Sequence, residues 1–286
     1  SFETATGEKF NWDNYLPGYS AMKEKERVVF FLRDGLSAAE KERMAAYGAD
    51  MSKYLDSGNE ARIKKAYESR DPRLQMAVIT PYAQYNGASS GIAHTYTLRW
   101  PYRGSDSAEP FDIRTDTNDK FYYLWRKFVP EGLEQTERDT YGLDIPLIRY
   151  AEVLLLKAEA LNEWGSTHES EAIRCVNEVR RRAGHVELNN ATYPATKVNG
   201  QSDLRERIRN EYYWEIGGED SMYFHELRWG TWKDKKFDNN RNGLMQMWGE
   251  TTYTWYWLGD QCWSWPIPAK EMEMNSNLEQ NEGWIN

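Results

Sequence analysis

The chain has 286 residues with 45 acidic and 36 Lys or Arg side chains, giving a net charge of −9. That balance excludes a nucleic-acid binder, whose target phosphates call for clustered Lys and Arg. The longest apolar runs, VVFFL at 28–32 and VLLL at 153–156, fall far short of the roughly 18 residues of a membrane span. The hydrophobic fraction is only 40%, but 13 Trp and 19 Tyr are present, so aromatic rings must supply much of the buried area. A chain of this length can bury about three quarters of its unfolded surface, and its core needs no disulfide staples. Cys175 sits in an apolar helical stripe and Cys262 in an aromatic stretch, which reads as two buried free thiols. The opening residues carry no secretory-leader pattern, so the chain reads as cytosolic or already trimmed.

In chain order, residues 1–27 read as loop with tight turns at Asn11, Asp13, Pro17 and Gly18. Ser37 and Glu40 form a capping box that starts a helix. A second helix runs from about Asn59 to Ser69 and must end by Asp71-Pro72, because the residue before proline leaves the α region. From Met76 to Arg103 the period changes. Ile92, His94, Tyr96, Leu98 and Trp100 alternate with Ala93, Thr95, Thr97 and Arg99, which predicts strand or hairpin. Residues 104–120 are polar turn sequence.

IPLIRYAEVLLLKAEALNEWG at 145–165 is the clearest helix, with Pro146 in its first turn and Gly165 as a left-handed cap. Ala151, Leu154, Leu155, Ala158 and Leu161 make its apolar stripe, while Leu156 falls on the other side with Glu152, Glu159 and Glu163. Ser166 and Glu169 form a second capping box. The helix that follows turns Ala172, Cys175, Val176, Val179 and Ala183 inward and closes at Gly184. Two antiparallel helices with alanines at their contact look like a tetratricopeptide-type hairpin, and a solenoid of such units needs about three. A third helix starts at Asp203 with Leu204, Ile208 and Tyr212 inward. Beyond residue 230 the sequence predicts loops and short strands.

Several motifs suggest chemistry and lack its context. GASSG at 87–91 has the G-x-S-x-G spacing with Ser89 as nucleophile, but an elbow needs a helix after it and an alternating run follows. DNNRNG at 238–243 resembles the opening of a calcium loop, with Asp238, Asn240 and Asn242 as oxygen ligands. The bidentate acid should then fall at Gly249, and Glu250 is one residue late. The four histidines (94, 168, 185 and 225) have no zinc spacing, so no metal and no cofactor is expected. Glu206, Arg207, Arg209, Glu211, Glu215, Glu219 and Arg228 crowd one segment, for which helical ion pairs are a plainer reading than catalysis. Scattered Asp and Glu leave a glycosidase pair possible without nominating one.

Five stretches together resemble the SusD/RagB-like outer-membrane lipoproteins of Bacteroidetes. These are Asp71-Pro72-Arg73-Leu74, FYYLWRKFV at 121–129, the 145–160 helix, RERIRNEYYWEIGGEDSMYFHELRWG at 205–230, and the WPIP-to-NLEQNEGW box at 265–284. The chain departs from the pattern at Asp220-Ser221-Met222, where many members carry an arginine. It also has no cysteine before Cys175 to carry a lipid. The resemblance implies a mainly α fold: a tetratricopeptide-like scaffold with long irregular loops and a few short strands. It implies that residues 1–286 are the C-terminal part of one such domain, without the N-terminal repeats and lipid anchor. It further implies a non-enzymatic surface protein of the outer membrane that captures a glycan and delivers it to a SusC-like TonB-dependent transporter. Peptide binding and, in another class, a glycoside hydrolase are the alternatives.

The shared motifs are fold motifs, so ligand residues must come from physics. A sugar ring offers an apolar face to an exposed Trp or Tyr, and its hydroxyls bond to Asn, Asp, Gln or Arg. Two loops qualify: Tyr82, Tyr85, Asn86, Trp100 and Tyr102 in 82–102, and Trp248, Tyr253, Trp255 and Trp257 in 248–257. In a strand Tyr253, Trp255 and Trp257 would share one face, as core or as platform. Trp263 and Trp265 adjoin the PIP box and are expected in the core.

Overall fold

A computed structural model describes residues 2–89, 92–103, 110–113, 120–132, 142, 144–219, 221–237 and 243–284. The chain divides into two compact units, residues 1–222 with 246–250, and residues 223–245 with 251–286.

The first unit opens with irregular chain and short 3₁₀ turns. One of these, Glu26–Phe31, buries the greasy run Val28, Val29, Phe30 and Phe31. Helix α1 (Ala38–Tyr47) starts as its sequence predicts: Glu40 N donates to Ser37 Oγ at 3.3 Å, and Ser37 N to Glu40 Oε2 at 2.9 Å. Helices α2 (Asn59–Glu68) and α3 (Arg73–Ala77) follow. The alternating region forms a hairpin of β2 (Gln84–Ser89) and β3 (Ile92–Thr97), in register from Gln84 opposite Thr97 to Ser89 opposite Ile92. A second antiparallel pair joins β1 (Val78–Ile79) to β4 (Leu124–Trp125). One hydrophobic cluster fills this part, with Phe31, Ile63, Tyr67, Leu74, Leu98, Phe121 and Trp248 among its members.

The remainder of the unit is helical. Helix α4 (Tyr150–Trp164) packs against both α5 (Glu169–Arg182) and α6 (Gln201–Glu215). The predicted inward residues are buried: Leu155 and Ala158 from α4, Cys175 and Val176 from α5, and Leu204, Ile208 and Tyr212 from α6. Both cysteines are free thiols, Cys175 buried and Cys262 half-buried.

Three boundaries and one burial differ from the sequence reading, and beyond residue 230, expected to hold only loops and short strands, short helices form at Trp232–Lys236 and Ala269–Met274. Pro146 lies outside α4, which begins at Tyr150 after the extended Arg149. Gly165 has φ +131° and ψ 175°, a conformation essentially reserved for glycine but different from the left-handed cap. Ser166 belongs to a 3₁₀ turn and does not cap α5, whose N-cap is His168. Glu152, expected outward, is buried.

A charge network holds the unit together. Glu211 of α6 accepts from Arg73 Nη1 at 2.6 Å through Oε1 and from Arg180 Nη1 at 3.2 Å through Oε2. Arg73 also binds Asp71 through Nη2 at 2.6 Å, and Arg180 binds Glu3 through Nη2 at 2.6 Å. His185 Nε2 lies 3.2 Å from that same Glu3 oxygen. One turn along α6, Glu215 meets Arg73, Arg149 and Arg182. Glu219 then meets Arg149 at 2.7 Å and Lys127 at 2.8 Å. Lys127 Nζ also donates to the carbonyls of Glu215 and Gly217, and Arg149 Nη2 to that of Glu215. These cations thus stand at the negative end of α6 and satisfy its orphan carbonyls.

The environment sets the protonation of these groups. Burial raises the Glu3, Asp71 and Glu219 carboxyls, but hydrogen bonds and charge from their cations outweigh it. Those cations are His185 and Arg180 for Glu3, Arg73 for Asp71, and Arg149 with Lys127 for Glu219. All three carboxyls end below their ordinary values. Burial likewise lowers Arg73, and Glu211 with Asp71 more than reverses it.

The second unit holds α8 (Trp232–Lys236), a pair of β5 (Leu244–Met245) with β6 (Thr251–Tyr253), and α9 (Ala269–Met274). Helix α7 (Ser221–Arg228) lies mostly in it. Half-buried aromatic rings pack on one another in this unit: Tyr223 meets Trp232 at 4.9 Å, Phe237 meets Trp257 at 5.3 Å and Trp257 meets Trp263 at 5.1 Å. Trp263, expected in the core, is thus only half-buried. The WPIP box is locked by amides of the closing NLEQN run. Gln280 accepts from Ile267 N at 2.7 Å and donates to Ile267 O at 2.9 Å, and Asn281 donates to Trp265 O at 2.6 Å.

Glu211→Ala takes one buried partner each from Arg73 and Arg180, which keep Asp71 and Glu3, and is expected to cost about 3–5 kcal/mol in a denaturant melt. Arg228, in the same charged segment as Glu211, is exposed on α7, with Nη2 3.0 Å from His225 Nδ1 and its guanidinium over the Trp229 ring; Arg228→Ala is expected to cost less than Glu211→Ala. The depressed carboxyls give a pH signature. A group whose folded pKa lies below its unfolded value stabilises above the unfolded pKa, so this contribution is complete above about pH 5. It is lost as pH falls through the ordinary carboxylate range of about 4 and below. Melting temperatures measured from pH 7 to 3 should therefore be flat at first and then drop.

Candidate functional site

The nine aromatic and amide candidates separate by burial. Tyr82 is only 3% exposed, with φ at +63°, and its hydroxyl donates to Phe31 O at 2.7 Å. Burial drives its pKa well above the ordinary phenol value. Trp248 is fully buried among Phe31, Tyr47 and Phe121, and its Nε1 donates to Glu250 Oε2 at 3.0 Å. Glu250 also accepts from Tyr47 and Gln246, so one carboxylate oxygen clasps the 246–250 segment to the first unit. Burial first, and then the hydrogen bond to Glu250, push the Tyr47 hydroxyl up to about 12. Tyr82 and Trp248, expected exposed, are corrected to core residues: their loops are irregular in backbone yet lie over the main cluster.

Trp100 is half-buried, stacked on Phe121 at 5.7 Å, and Tyr85 is half-buried with its hydroxyl on Pro130 O. Tyr102 is half-buried as well. Of the five candidates in the first loop only Asn86 is exposed, on β2, accepting from Thr95. The first loop therefore offers no open ring platform.

The second loop does. Tyr253 and Trp255 are about half exposed, and their neighbour Tyr256 is more open still. The single shared face is corrected, because strand β6 stops at Tyr253. Irregular backbone beyond it turns Trp257 inward, against Phe237 and Trp263. Gly243 permits the approach: a side chain there would lie 1.7 Å from Tyr253 O. Trp265, expected in the core, is 69% exposed, with Nε1 donating to Tyr223 Oη at 2.8 Å and exposed Phe224 beside Tyr223. Tyr256, Trp265 and Phe224 were missed by sequence reasoning. The sequence places Trp265 in the core because its motif is a fold motif, yet the motif is held through backbone by Gln280 and Asn281 and leaves the ring outside.

The other motifs resolve in place. GASSG enters a strand-to-strand hairpin, not a strand-to-helix elbow, although residues 90–91 lie outside the described residues. Asp238, Asn240 and Asn242 also lie outside the described residues. Glu211 and Glu215 are buried and engaged by arginines on every side, which leaves no open carboxylate for a substrate.

The profile of the SusD family matches residues 1–284. The chain belongs to the SusD family. It is 32% identical to a SusD-like protein of Formosa agariphila over 139 residues, covering 48% of this chain and 24% of that one. It is 28% identical over 161 residues to the starch-binding protein SusD of Bacteroides thetaiotaomicron, covering 56% and 25%. A solved SusD-like protein from Bacteroides fragilis superposes with a TM-score of 0.54 at 23% identity, over 77% of this chain and 40% of that one. The helical scaffold is thus the SusD fold. The match spans about a quarter of the length of these curated relatives.

Trp248→Ala and Tyr82→Ala are each expected to cost about 3–5 kcal/mol, as large core rings do. Trp265→Ala and Trp255→Ala are expected to move thermal melts little, within about 0.5 kcal/mol for Trp265. A Trp265 variant that melts as low as the Trp248 variant would return that ring to the core.

Proposed function

We propose that this SusD-family chain binds oligosaccharide non-enzymatically through the exposed rings of its second unit. The observation that carries this reading is the exposure of Tyr253, Trp255, Tyr256 and Trp265 in a unit whose half-buried rings Trp257, Trp263 and Phe237 pack on one another. An indole or phenol face held open at that cost in water contact suits the C–H face of a pyranose. The name of the Bacteroides relative, a starch-binding protein, points to the same ligand class. In this reading the protein sits at the outer-membrane surface through a lipid anchor outside these residues. There it passes its glycan to a SusC-like TonB-dependent transporter. Among the described residues no helix is long and apolar enough to cross a membrane.

The test is a glycan array followed by calorimetric titration of the best oligosaccharide. Trp255→Ala and Trp265→Ala should each weaken binding about tenfold, roughly 1.4 kcal/mol, with unchanged melts. Release of shorter sugars from the ligand would support a hydrolase instead. Retention of peptides with no glycan bound would support a peptide-binding member.

A further inference from the structure

Trp125, at the end of β4, has one ring face seated on the protein and the other open. Its seat is Gly217-Gly218, in the turn that follows α6. A Cβ added at Gly218 would lie 2.8, 2.9 and 3.2 Å from Cε3, Cζ3 and Cδ2 of the indole. Those three distances put it above the face of the six-membered ring and not at its edge. Gly218 also has φ +84°, a left-handed conformation that favours glycine, so both backbone and space reserve this seat. The ring is 54% exposed, which leaves its far face to water. Its Nε1–H makes no hydrogen bond among the described residues. Singly exposed rings are ordinary on protein surfaces; this one differs in its surroundings.

The same turn carries an ion cluster with hydrogen-bonding capacity to spare. Lys127 spends its three N–H groups on Glu215 O, Gly217 O and Glu219. Arg149 spends four of its five, Nε and Nη2 on Glu219, Nη2 again on Glu215 O, and Nη1 on Glu215 Oε1. One Nη1 hydrogen remains. Glu219 Oε2 accepts only from Arg149 Nε, so it keeps a lone pair. Both side chains reach water, Arg149 being 27% and Glu219 10% exposed.

We propose that Trp125 is a second sugar-binding subsite, in the first unit. It stacks one pyranose of an oligosaccharide on its open face, and Nε1–H, Arg149 and Glu219 serve the hydroxyls of that ring and its neighbour. This rests on the reading of the chain as an oligosaccharide binder and adds a site apart from the exposed rings of the second unit. A pyranose joins an apolar C–H face to hydroxyls that both donate and accept, and the turn offers a ring face, spare donors and a spare acceptor. An apolar protein surface would instead dry out Arg149 and Glu219 without serving them, which is costly. Nucleobases would also stack, but a net charge of −9 repels their phosphates. Because Gly218 already fixes the indole from behind, little freedom is lost when a sugar covers its front.

The test labels the protein with fluorotryptophan and follows its fluorine NMR spectrum as maltohexaose, cellohexaose or xylohexaose is added. Trp125→Phe, Trp255→Phe and Trp265→Phe assign the resonances, each by the loss of one signal with the others in place. The expected result is a saturable shift of the Trp125 signal with at least one of these sugars. That shift should persist when Trp255 and Trp265 are both replaced by Phe. A Trp125 signal that stays still while Trp255 or Trp265 moves overturns this subsite and leaves the sugar reading of the second unit standing. A Trp125 shift that vanishes in the double variant overturns it too, since the subsite would not bind by itself. No movement of any of these signals with all three sugars overturns both readings.

Discussion

Glu211 sits at the centre of the first unit with one oxygen on Arg73 and the other on Arg180, and the arrangement around it decides much of the rest. Five cations (Lys127, Arg73, Arg149, Arg180 and Arg182) meet five anions (Glu3, Asp71, Glu211, Glu215 and Glu219). The members come from the N-terminal segment, the start of α3, the segment after β4, the residue before α4, the end of α5 and the end of α6. Each charge is costly to bury alone, so each needs its partners in place. The network therefore gains specificity more than raw stability: α6 can lie against α3, α4 and α5 in one register only, because any slip leaves an unpaired charge out of water. Four of the five recognisable family stretches contribute to it or to the helix it anchors, which is a physical reason for those stretches to keep their letters.

Polar locks of the same logic appear on a smaller scale. Glu250 gathers Tyr47, Gln246 and Trp248, and Gln280 pairs with both backbone groups of Ile267. In each case a side chain satisfies groups on irregular backbone that have no ladder or helix to serve them. Loops so fixed can carry aromatic rings outward without collapsing onto them. That combination, fixed backbone and open ring, would lower the ordering cost of the proposed glycan binding.

The aromatic load divides accordingly. Tyr67, Tyr82, Phe121 and Trp248 fill the first unit, and Trp257 packs half-buried on Trp263 in the second. Tyr253, Trp255, Tyr256 and Trp265 remain for solvent or ligand. Ring against ring is the main packing theme because aliphatic residues are scarce in this chain, and the surplus rings at the surface are then the informative ones.

How much was legible in advance depends on whether a signal is local. The helices declared themselves through period and caps: Ser37 with Glu40, the inward set Leu155, Ala158, Cys175 and Val176, and the hairpin from Gln84 to Thr97. Ordered family stretches fixed the scaffold as SusD-like. The sequence by itself therefore determined the longer helices α1, α2, α4, α5 and α6, their apolar faces and the architecture they build, because those properties live within about four residues of chain. The short helices α3, α7, α8 and α9 carry too few turns to show a period. Only the tertiary structure decided which rings are exposed. Tyr82 and Trp100 look like a loop pair in sequence and lie in or against the core, while Trp265 looks like core and lies outside. Burial of a side chain on irregular backbone has no period to read; it depends on which distant segment arrives beside it, and residues 138 or 177 positions apart, as Arg73 and Glu211 or Glu3 and Arg180 are, meet only once the chain has folded.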